Sequence, residues 1–359
     1  MGTLVDFVGV KQTFAHLLAA FMASLLLLSA SVAASLAQDD PVVASTLDKV
    51  RDRGFLVCGS SDDLPGFAQM NSSGQWVGFD VDFCRAIAAA TLGDANKVEF
   101  RSLDGEGRFA PLQTGSVDVM VRDAVWTMAR DTQFGVRFVA TSFFDGLTFL
   151  VRGELGIVSA YLLDDVDVCV AEAGDDRRRM NEFFFENQAT FREVVYESRE
   201  DLAIAYQAGL CDAIAAPASV LQAIRRTLPD PAQHRIMPEF ISKAPYGPVV
   251  RAGDDQWADI VAWVYYAIIN AEELGVSQLN LESMQSSRTP AIRRLLGLEE
   301  NLGAELGLSN DWAAKAIAAV GNYREIFDRN FGAQTGASMV RGLNANWTTG
   351  GLLYAPPVL

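Results

Sequence analysis

Short apolar runs and amphipathic stretches alternate along the first third of this chain, and this alternation restricts its fold more than any other feature. Strands are expected at the apolar runs, and helices where apolar residues recur every three or four positions. The predicted strands are Phe55–Gly59, Val98–Ser102 and Val117–Val121, and the predicted helices are Thr46–Arg53, Asp80–Leu92 and Arg108–Thr114. This strand-helix-strand order predicts a largely parallel sheet with helices on its faces.

Residues typical of turns and caps support these boundaries. The segment Asn71-Ser72-Ser73-Gly74 predicts a hairpin turn before a strand at Trp76–Phe79, because Asn and Gly tolerate the positive φ of such turns. Thr46 and Asp80 are expected to cap the N-termini of their helices with side-chain oxygens.

The same alternation restarts after Phe143–Arg152, a segment rich in residues that favour strands. Here the predicted strands are Asp167–Ala171, Arg192–Tyr196 and Cys211–Ala215, and the predicted helices are Asp176–Glu186, Asp201–Ala208 and Ala218–Thr227. Ala244–Arg251 is extended again, and the residues after Asp254 are mostly helical. The middle of the chain therefore forms its own lobe between two crossings, and two crossings make a hinge.

The N-terminus, residues 1–37, has the pattern of a secretory signal peptide. Lys11 supplies positive charge, Phe14–Leu28 is largely apolar, and Ser35-Leu36-Ala37 has the small-x-small pattern of a cleavage site. The apolar run has about 15 residues, fewer than the ~20 of a comfortable membrane span, and an uncleaved anchor is the alternative. We assign residues 38–147 and 248–359, with a C-terminal helical extension, to lobe 1, and residues 148–247 to lobe 2.

The formal net charge is −16 at pH 7. Nucleic acids and anionic membrane surfaces attract basic patches, so this charge argues against both as partners. Acidity mainly reflects solubility and carries little information about the ligand.

Four cysteines occur in a chain that we expect to be exported, and an even number there suggests disulfides. Of the three possible pairings we favour Cys58–Cys84 with Cys169–Cys211, because each bond then joins neighbouring elements within one lobe. A zinc site is not expected, since there is no CxxC motif and His234 is the only histidine after the signal. His234 lies in a turn-like segment, and we expect it on a surface loop rather than in a catalytic triad.

Taken together, the motifs resemble those of the periplasmic solute-binding proteins of ABC transporters for polar and general L-amino acids, which are family 3 solute-binding proteins. The resemblance runs from about Thr46 to Pro357. The motifs that carry it are TLDKVRDRG, LVCG, LPGF, WVGFDVDFCRAIAAATLGD, RFAPLQTGSVDV, WTMARDT, FDGLTFLVR, CDAI, ISKAPYGPVVRAGDDQW, INAEELG, IRRLLG, VGNYREIFDRN and RGLNANWTTGGLLYAPP. It implies an α/β, two-lobe periplasmic binding protein type II fold with two crossover strands at the hinge.

A ligand cleft between the two lobes follows from this resemblance. An amino-acid zwitterion loses water when the lobes close, so its charges need replacement partners. An Arg suits the carboxylate because its guanidinium donates two parallel hydrogen bonds. Thr127 and Arg130 resemble the family's carboxylate clamp, and Phe67 occupies the position of an apolar or aromatic wall.

Three other parts of the implied cleft depart from the family pattern. Hydroxyl residues usually precede the Trp of the WT motif, where this chain has Ala124 and Val125. A Gly-Thr-Thr run usually follows the strand that contains Cys169, where this chain has AEAGDD at residues 171–176. An Asp for the ligand's ammonium usually follows the strand that contains Cys211, where this chain has Ala-Ala-Pro-Ala at residues 215–218.

Acidic residues are predicted on the loops that face the cleft: Asp62, Asp63, Asp123, Glu172, Asp175 and Asp176. Beside a ligand carboxylate they would be unfavourable, since two like charges 4 Å apart repel by about 4 kcal/mol at an effective dielectric of 20. They suggest a ligand that is cationic or lacks a free carboxylate. Alternatively, Asp175 and Asp176 cap a helix and face solvent.

Three functions remain open at this level. The first is a monomeric periplasmic receptor with an altered cleft that delivers a small solute, an amino acid or a related molecule, to ABC transporter permease subunits, without a cofactor. The second is an interaction protein that kept the scaffold and lost solute binding. The third is an enzyme similar to cyclic-acid dehydratases, with Glu172 or Asp175 as general acid or base.

Overall fold

The computed structural model describes residues 45–103, 106–172, 174–335 and 339–359. The predicted signal peptide, residues 1–37, lies outside this range. The first strands are β1 Leu56–Ser60, β2 Asp63–Leu64, β3 Ala68–Met70, β4 Trp76–Val77, β5 Val98–Ser102, β6 Val119–Met120 and β7 Val136–Phe138. They are followed by β8 Phe143–Asp145, β9 Leu147–Arg152, β10 Val166–Ala171, β11 Phe191–Tyr196, β12 Ala213–Pro217, β13 His234–Ile236, β14 Ala244–Tyr246 and β15 Val249–Arg251.

The α-helices of the first two thirds of the chain are α1 Thr46–Arg53, α2 Phe79–Leu92, α3 Ala110–Thr114, α4 Met128–Gln133, α5 Asp176–Glu186, α6 Arg199–Gln207 and α7 Ala218–Thr227. The later helices are α8 Asp255–Glu273, α9 Leu281–Met284, α10 Pro290–Leu295, α11 Leu302–Glu305, α12 Trp312–Val320 and α13 Tyr323–Phe331. Within the described residues, no helix combines the length and the apolar character needed to cross a bilayer.

Two five-stranded sheets form the centres of two lobes, as the alternation predicted. Sheet I has the order β5-β1-β6-β15-β7, with β1 parallel to β5 and β6 and with β15 antiparallel to its neighbours. Sheet II has the order β11-β10-β12-β9-β13, with β10 parallel to β11 and β12 and with β9 antiparallel to its neighbours. The predicted α/β fold with two sheet-containing lobes is confirmed.

The two hinge segments pair with each other outside both sheets. β8 and β14 form a two-stranded antiparallel ladder in which Phe143 opposes Tyr246 and Asp145 opposes Ala244. β8 leads into β9 of sheet II, and β14 leads back into β15 of sheet I. The chain therefore crosses between the lobes twice, side by side.

Two of the predicted caps are wrong. Ser45, not Thr46, caps α1, and its hydroxyl accepts a hydrogen bond from the Asp48 amide. Asp80 lies inside α2, which Gly78 precedes without a side-chain cap. At Gly78 a Cβ atom would lie 2.0 Å from the carbonyl oxygen of Phe67, so the close approach of the preceding loop requires glycine there.

Both disulfides favoured from the sequence are present. Cys58 of β1 is bonded to Cys84 of α2, and Cys169 of β10 is bonded to Cys211, just before β12. The first bond ties a strand of sheet I to the helix packed on it. The second ties two neighbouring segments of sheet II, so neither bond spans the hinge.

The C-terminal helices brace lobe 1 and the first hinge strand. The buried carboxylate of Asp82 on α2 accepts hydrogen bonds from Arg329 and Asn330 of α13, each at 2.9 Å. Farther on, the Asn344 side chain accepts from the Phe144 amide at 2.7 Å and donates to the Phe144 carbonyl at 2.9 Å. The extension thus fixes the outer edge of β8.

Candidate functional site

The parallel strands of both sheets end at loops that carry most of the predicted site residues. The turn between β2 and β3 and the start of α7, the helix after β12, line one small cavity together with the end of α13, through Pro65, Gly66, Ser219 and Gln222. In open α/β sheets, ligands bind outside the carboxyl ends of the strands. The candidate site is therefore the cleft between these two sets of loops.

On lobe 1, the structure brings Thr127 and Arg130 together. Thr127 caps α4, and its hydroxyl accepts a hydrogen bond from the Arg130 amide at 3.3 Å. The Arg130 guanidinium donates through Nη1 to the carbonyl oxygen of Val125 at 2.9 Å. Both side chains are half-buried. This bond holds one end of the guanidinium against the backbone and fixes the direction of the donor fork.

Phe67 lies in the core of lobe 1 rather than on a cleft wall, which corrects the sequence expectation. Its side chain is 1% exposed and makes edge-on ring contacts with Phe143 and Tyr246 of the hinge and with Phe331 of α13. It presents almost no surface to a ligand. The ring instead joins the cleft loop to the hinge strands.

Asp123 is not a free acid of the cleft. Its carboxylate pairs with the guanidinium of Arg122 at 3.3 Å, and the two side chains are 10% and 9% exposed. Arg122 also donates to the carbonyl oxygen of Leu103. The adjacency of Arg122 and Asp123 along the chain was the one sequence signal for this pair.

Asp80 is a buried acid close to this pair. Burial raises the pKa of its carboxyl well above the usual value, and the nearby negative charge of Asp123 raises it further. Its Oδ2 atom has no hydrogen-bond partner among the described residues. Asp80 is therefore protonated more readily than an exposed aspartate.

The remaining predicted acids of lobe 1 lie on the loop after β1. Asp62 is exposed there. Asp63 begins β2, where its backbone pairs with Gln69. Its side chain lies outside the part of the chain that the structure describes.

On lobe 2, the acidic residues lie on the surface around the start of α5. Glu172 follows β10 and is exposed. Asp175 is 58% exposed and pairs with Arg178 at 3.1 Å. It occupies the N-cap position of α5 without making a side-chain cap bond, and Asp176 lies half-buried in the first turn. For Asp175, the structure agrees with the solvent-facing alternative, although not with the proposed cap bond.

The end of β12 is apolar and closely packed. Ala215, Ala216, Pro217 and Ala218 are all buried, and α7 begins at Ala218. In β12 these residues pair with β9, where Pro217 opposes Leu147. No carboxylate is therefore available in this segment to receive an ammonium group.

A buried carboxylate that the sequence did not single out lies behind this segment. Asp145 of β8 accepts hydrogen bonds from the Ser219 hydroxyl on α7 and, at 3.1 Å, from the Tyr246 hydroxyl on β14. Burial raises the pKa of Asp145, while the bond from Ser219 acts in the opposite direction. Asp145 thus links both hinge strands to lobe 2.

His234 was expected on a surface loop, but the structure places it at the start of strand β13. Its Nδ1 atom lies 2.9 Å from the hydroxyl of the buried Tyr206. Partial burial and the positive charge of Arg152 lower the pKa of His234.

Comparisons with known proteins identify the fold and the class of protein. The family model of bacterial extracellular solute-binding proteins, family 3, matches residues 56–278. The general L-amino acid-binding periplasmic protein AapJ of Rhizobium johnstonii is 45% identical over 336 residues, which are 92% of this chain and 98% of that protein. The glutamate/glutamine/aspartate/asparagine-binding protein BztA of Rhodobacter capsulatus is 48% identical over 315 residues, which are 88% and 93% of the two chains.

A solved structure supports the same relationship. A periplasmic binding protein from Brucella ovis with glutathione bound is 44% identical in sequence and superposes with a TM-score of 0.82. The match covers 88% of this chain and all of that chain.

Proposed function

We propose, since the chain belongs to the bacterial extracellular solute-binding proteins of family 3, that it is a periplasmic receptor for an amino acid or amino-acid-like solute. It would deliver this solute to the permease of an ABC transporter. The named relatives that bind amino acids, and the structure with glutathione bound, support this class of ligand. The signal-peptide pattern at residues 1–37 supports export to the periplasm.

The lobe assignment is part of this proposal. Residues 38–147 and 248–359 would form lobe 1, and residues 148–247 would form lobe 2. Strand membership supports it, because sheet I takes its strands from residues 56–138 and 249–251, whereas sheet II takes its strands from residues 147–236. Only β9 begins one residue before the proposed start of lobe 2.

Lobe 1 would hold the carboxylate of the solute. The guanidinium of Arg130 is half-buried and oriented by its bond to Val125, and a guanidinium binds carboxylates through parallel hydrogen bonds. Thr127 begins α4, but this helix has only six residues, so its dipole adds little. The clamp therefore depends mainly on Arg130.

Lobe 2 would hold the solute differently from lobe 2 of the family's amino-acid receptors. The apolar end of β12 is the observation that supports this difference. Pro217 has no amide hydrogen, and neither it nor its neighbours at residues 215–218 has a carboxylate to balance an ammonium charge. Closure requires contacts in both lobes. A standard α-amino acid would thus gain little from closing onto lobe 2.

The exposed acids favour a cationic ligand or one without a free carboxylate next to lobe 2. Asp62 and Glu172 are exposed at the strand ends, whereas the charge of Asp175 is partly balanced by Arg178. Glu172 and Asp175 were also the acids of the enzyme alternative. Since both are exposed, neither has the buried setting that tunes a general acid, so binding is proposed rather than catalysis.

Calorimetric titration of unfolded and refolded protein tests the proposal, because refolding removes any co-purified ligand. The titrants are the common L-amino acids, glutathione and amines of similar size. We expect weak binding of the standard amino acids and tighter binding of a ligand with cationic character. Micromolar affinity for several L-amino acids would overturn the altered cleft, and no binding of any solute would overturn the receptor.

A further inference from the structure

One face of helix α7, on lobe 2, lies against the C-terminal extension of lobe 1. Four residues of α7 line a small cavity that the end of α13 and Met339 bound from the other side: Ser219, Gln222, Ala223 and Arg226. These four residues recur every three or four positions, which places them on one side of the helix. The two lobes therefore contact each other at a second place, beside the hinge strands β8 and β14.

Hydrogen bonds hold this face of α7 at both ends. At its start, the Ser219 hydroxyl donates to the buried carboxylate of Asp145 on hinge strand β8. Two turns later, the guanidinium of Arg226 donates through Nη2 to the carbonyl oxygen of Thr335 in the extension, at 2.7 Å. The cavity between these two bonds measures about 10 Å³, room for no more than one water molecule. Helix α7 is therefore packed closely on the extension along two turns.

A buried polar atom opposes this contact. Gln222 lines the cavity, and its side-chain oxygen Oε1 is buried without a hydrogen-bond partner among the residues that the structure describes. A buried acceptor without a partner is unfavourable, and it regains a hydrogen bond to water when the surfaces around it separate. The contact is therefore only marginally stable, as a contact that opens during function has to be.

The extension is itself fixed to lobe 1 and to the start of the hinge. The hydroxyl of Tyr323, the first residue of α13, donates to the carbonyl oxygen of Ser142, just before β8, at 2.9 Å. At the end of α13, the ring of Phe331 contacts the rings of Phe67 and Phe143, with centroids 4.9 and 5.5 Å away. Rotation of lobe 2 about the hinge therefore moves α7 relative to the extension.

Such a rotation displaces Arg226 much farther than Ser219. Ser219 is bonded to the hinge strand itself, whereas Arg226 lies two turns further along α7, roughly 10 Å away at a rise of about 1.5 Å per residue. A rotation of about 20° across the helix axis displaces a point at that distance by about 3–4 Å, more than a hydrogen bond tolerates. The bond of Ser219 therefore survives a rotation that breaks the bond of Arg226.

We propose that the contact of Gln222, Ala223 and Arg226 with the extension is a latch, which holds the two lobes in the arrangement of this structure and opens when lobe 2 rotates. An equilibrium between two arrangements shifts by the free energy of any contact that is present in only one of them. The latch thus sets the rotation equilibrium through Arg226, which is not among the predicted ligand residues. Its effect on solute affinity rests on the proposed receptor function, whereas the latch itself does not.

Distances between spin labels on the two lobes test the latch in the refolded, solute-free full chain. All four cysteines form disulfides, so labels attach to the exposed positions Ser72→Cys on lobe 1 and Glu186→Cys on lobe 2. Arg226→Ala should change the ratio of the two arrangements in the distance distribution about fivefold, the usual effect of one hydrogen bond.

Arg225→Ala is the matched control for Arg226→Ala. It removes the same charge from the adjacent position of α7, where the positive charge of Arg225 lowers the pKa of His234 and the side chain does not line the cavity. Its distance distribution should equal that of the protein without either substitution. A change as large as that of Arg226→Ala would show that net charge, and not the latch, sets the arrangement.

A wedge at Ala223 opens the latch by a second route. The cavity is too small for an indole ring, so Ala223→Trp has to separate α7 from the extension. Its distance distribution should consist mainly of the distances that Arg226→Ala enriches. The proposal fails if Arg226→Ala keeps the wild-type distribution, or if folded Ala223→Trp lacks those distances. If Ala223→Trp does not fold, Arg226→Ala and its control still decide. These distances require no solute, so the latch and the receptor function fail independently of each other.

Discussion

The two edges of the cleft differ in how their charged groups are held. On lobe 1, Arg122 and Asp123 form a nearly buried ion pair, and the half-buried Arg130 donates to a backbone carbonyl, although Asp62 is exposed. On lobe 2 the strand end is apolar and packed, and the acids Glu172 and Asp175 lie in solvent. The proposed clamp on lobe 1 therefore has a guanidinium held by the backbone, whereas residues 215–218 at the strand end of lobe 2 carry no charged side chain.

The C-terminal extension also contacts the two lobes differently. The C-terminal extension packs on lobe 1, where Arg341 makes a two-point ion pair with Glu272 at 2.6 and 2.9 Å. Lobe 2 also meets the extension, where Arg226 donates to the carbonyl oxygen of Thr335. Because the departures from the family pattern include the strand ends of lobe 2, we expect ligand selectivity to reside there.

The largest effect is expected on the lobe 1 side, at Phe67. Phe67→Ala should lower the free energy of unfolding by about 4 kcal/mol, because it removes a fully buried ring from an aromatic cluster. Phe67→Leu, which keeps most of the apolar volume, serves as the control and should cost much less. Chemical denaturation measures both. If Phe67→Ala kept the wild-type free energy of unfolding but lost solute affinity, Phe67 would belong to the wall of the cleft and not to the core.

A matched pair of acid replacements compares the two edges directly. Asp123→Ala leaves the nearly buried Arg122 without its carboxylate partner and should cost about 2 kcal/mol, since an unpaired buried charge is unfavourable. Asp175→Ala removes an exposed ion pair and should leave stability unchanged. Equal effects in the two unfolding experiments would contradict the contrast between the edges.

The smallest expected effect is a pH dependence within lobe 2 at His234. The pKa of His234 is lowered in the folded state, so the unfolded chain binds a proton there at a higher pH than the folded chain does. The free energy of unfolding is therefore highest above the unfolded pKa of about 6.5 and falls as the pH drops from there through the folded pKa. His234→Gln can still accept a hydrogen bond from Tyr206 but cannot titrate. Melting curves from pH 8 to 5 should show the wild type losing stability relative to this variant. Parallel curves would show that His234 titrates as it does in the unfolded chain.

The sequence predicted elements well where local pattern decides them. The bounds of α5, α7 and β5 agree with the prediction to the residue, because each has a clear period and clear end signals. Both disulfides followed from the order of strands along the chain.

Long-range packing decided what the sequence could not. Asp123 and Asp175 looked alike as loop acids, but one is buried against Arg122 and the other is exposed. Asp145 received its role from Ser219 and Tyr246, which are 74 and 101 residues away along the chain. No local pattern reports such partners. Thr127 and Arg130 could be paired in advance because their T-x-x-R spacing resembles the carboxylate clamp of the family, and the structure adds that Thr127 caps the helix that contains Arg130.

The most direct test of the missing counter-charge in lobe 2 is titration of Pro217→Asp with L-amino acids by calorimetry, next to wild type and Pro217→Asn. The new carboxylate at the end of β12 should tighten binding by about tenfold or more, the usual worth of a charge-assisted hydrogen bond, whereas the neutral Asn should leave it nearly unchanged. Equal affinities for Pro217→Asp and Pro217→Asn, or micromolar binding by the wild type, would contradict the account.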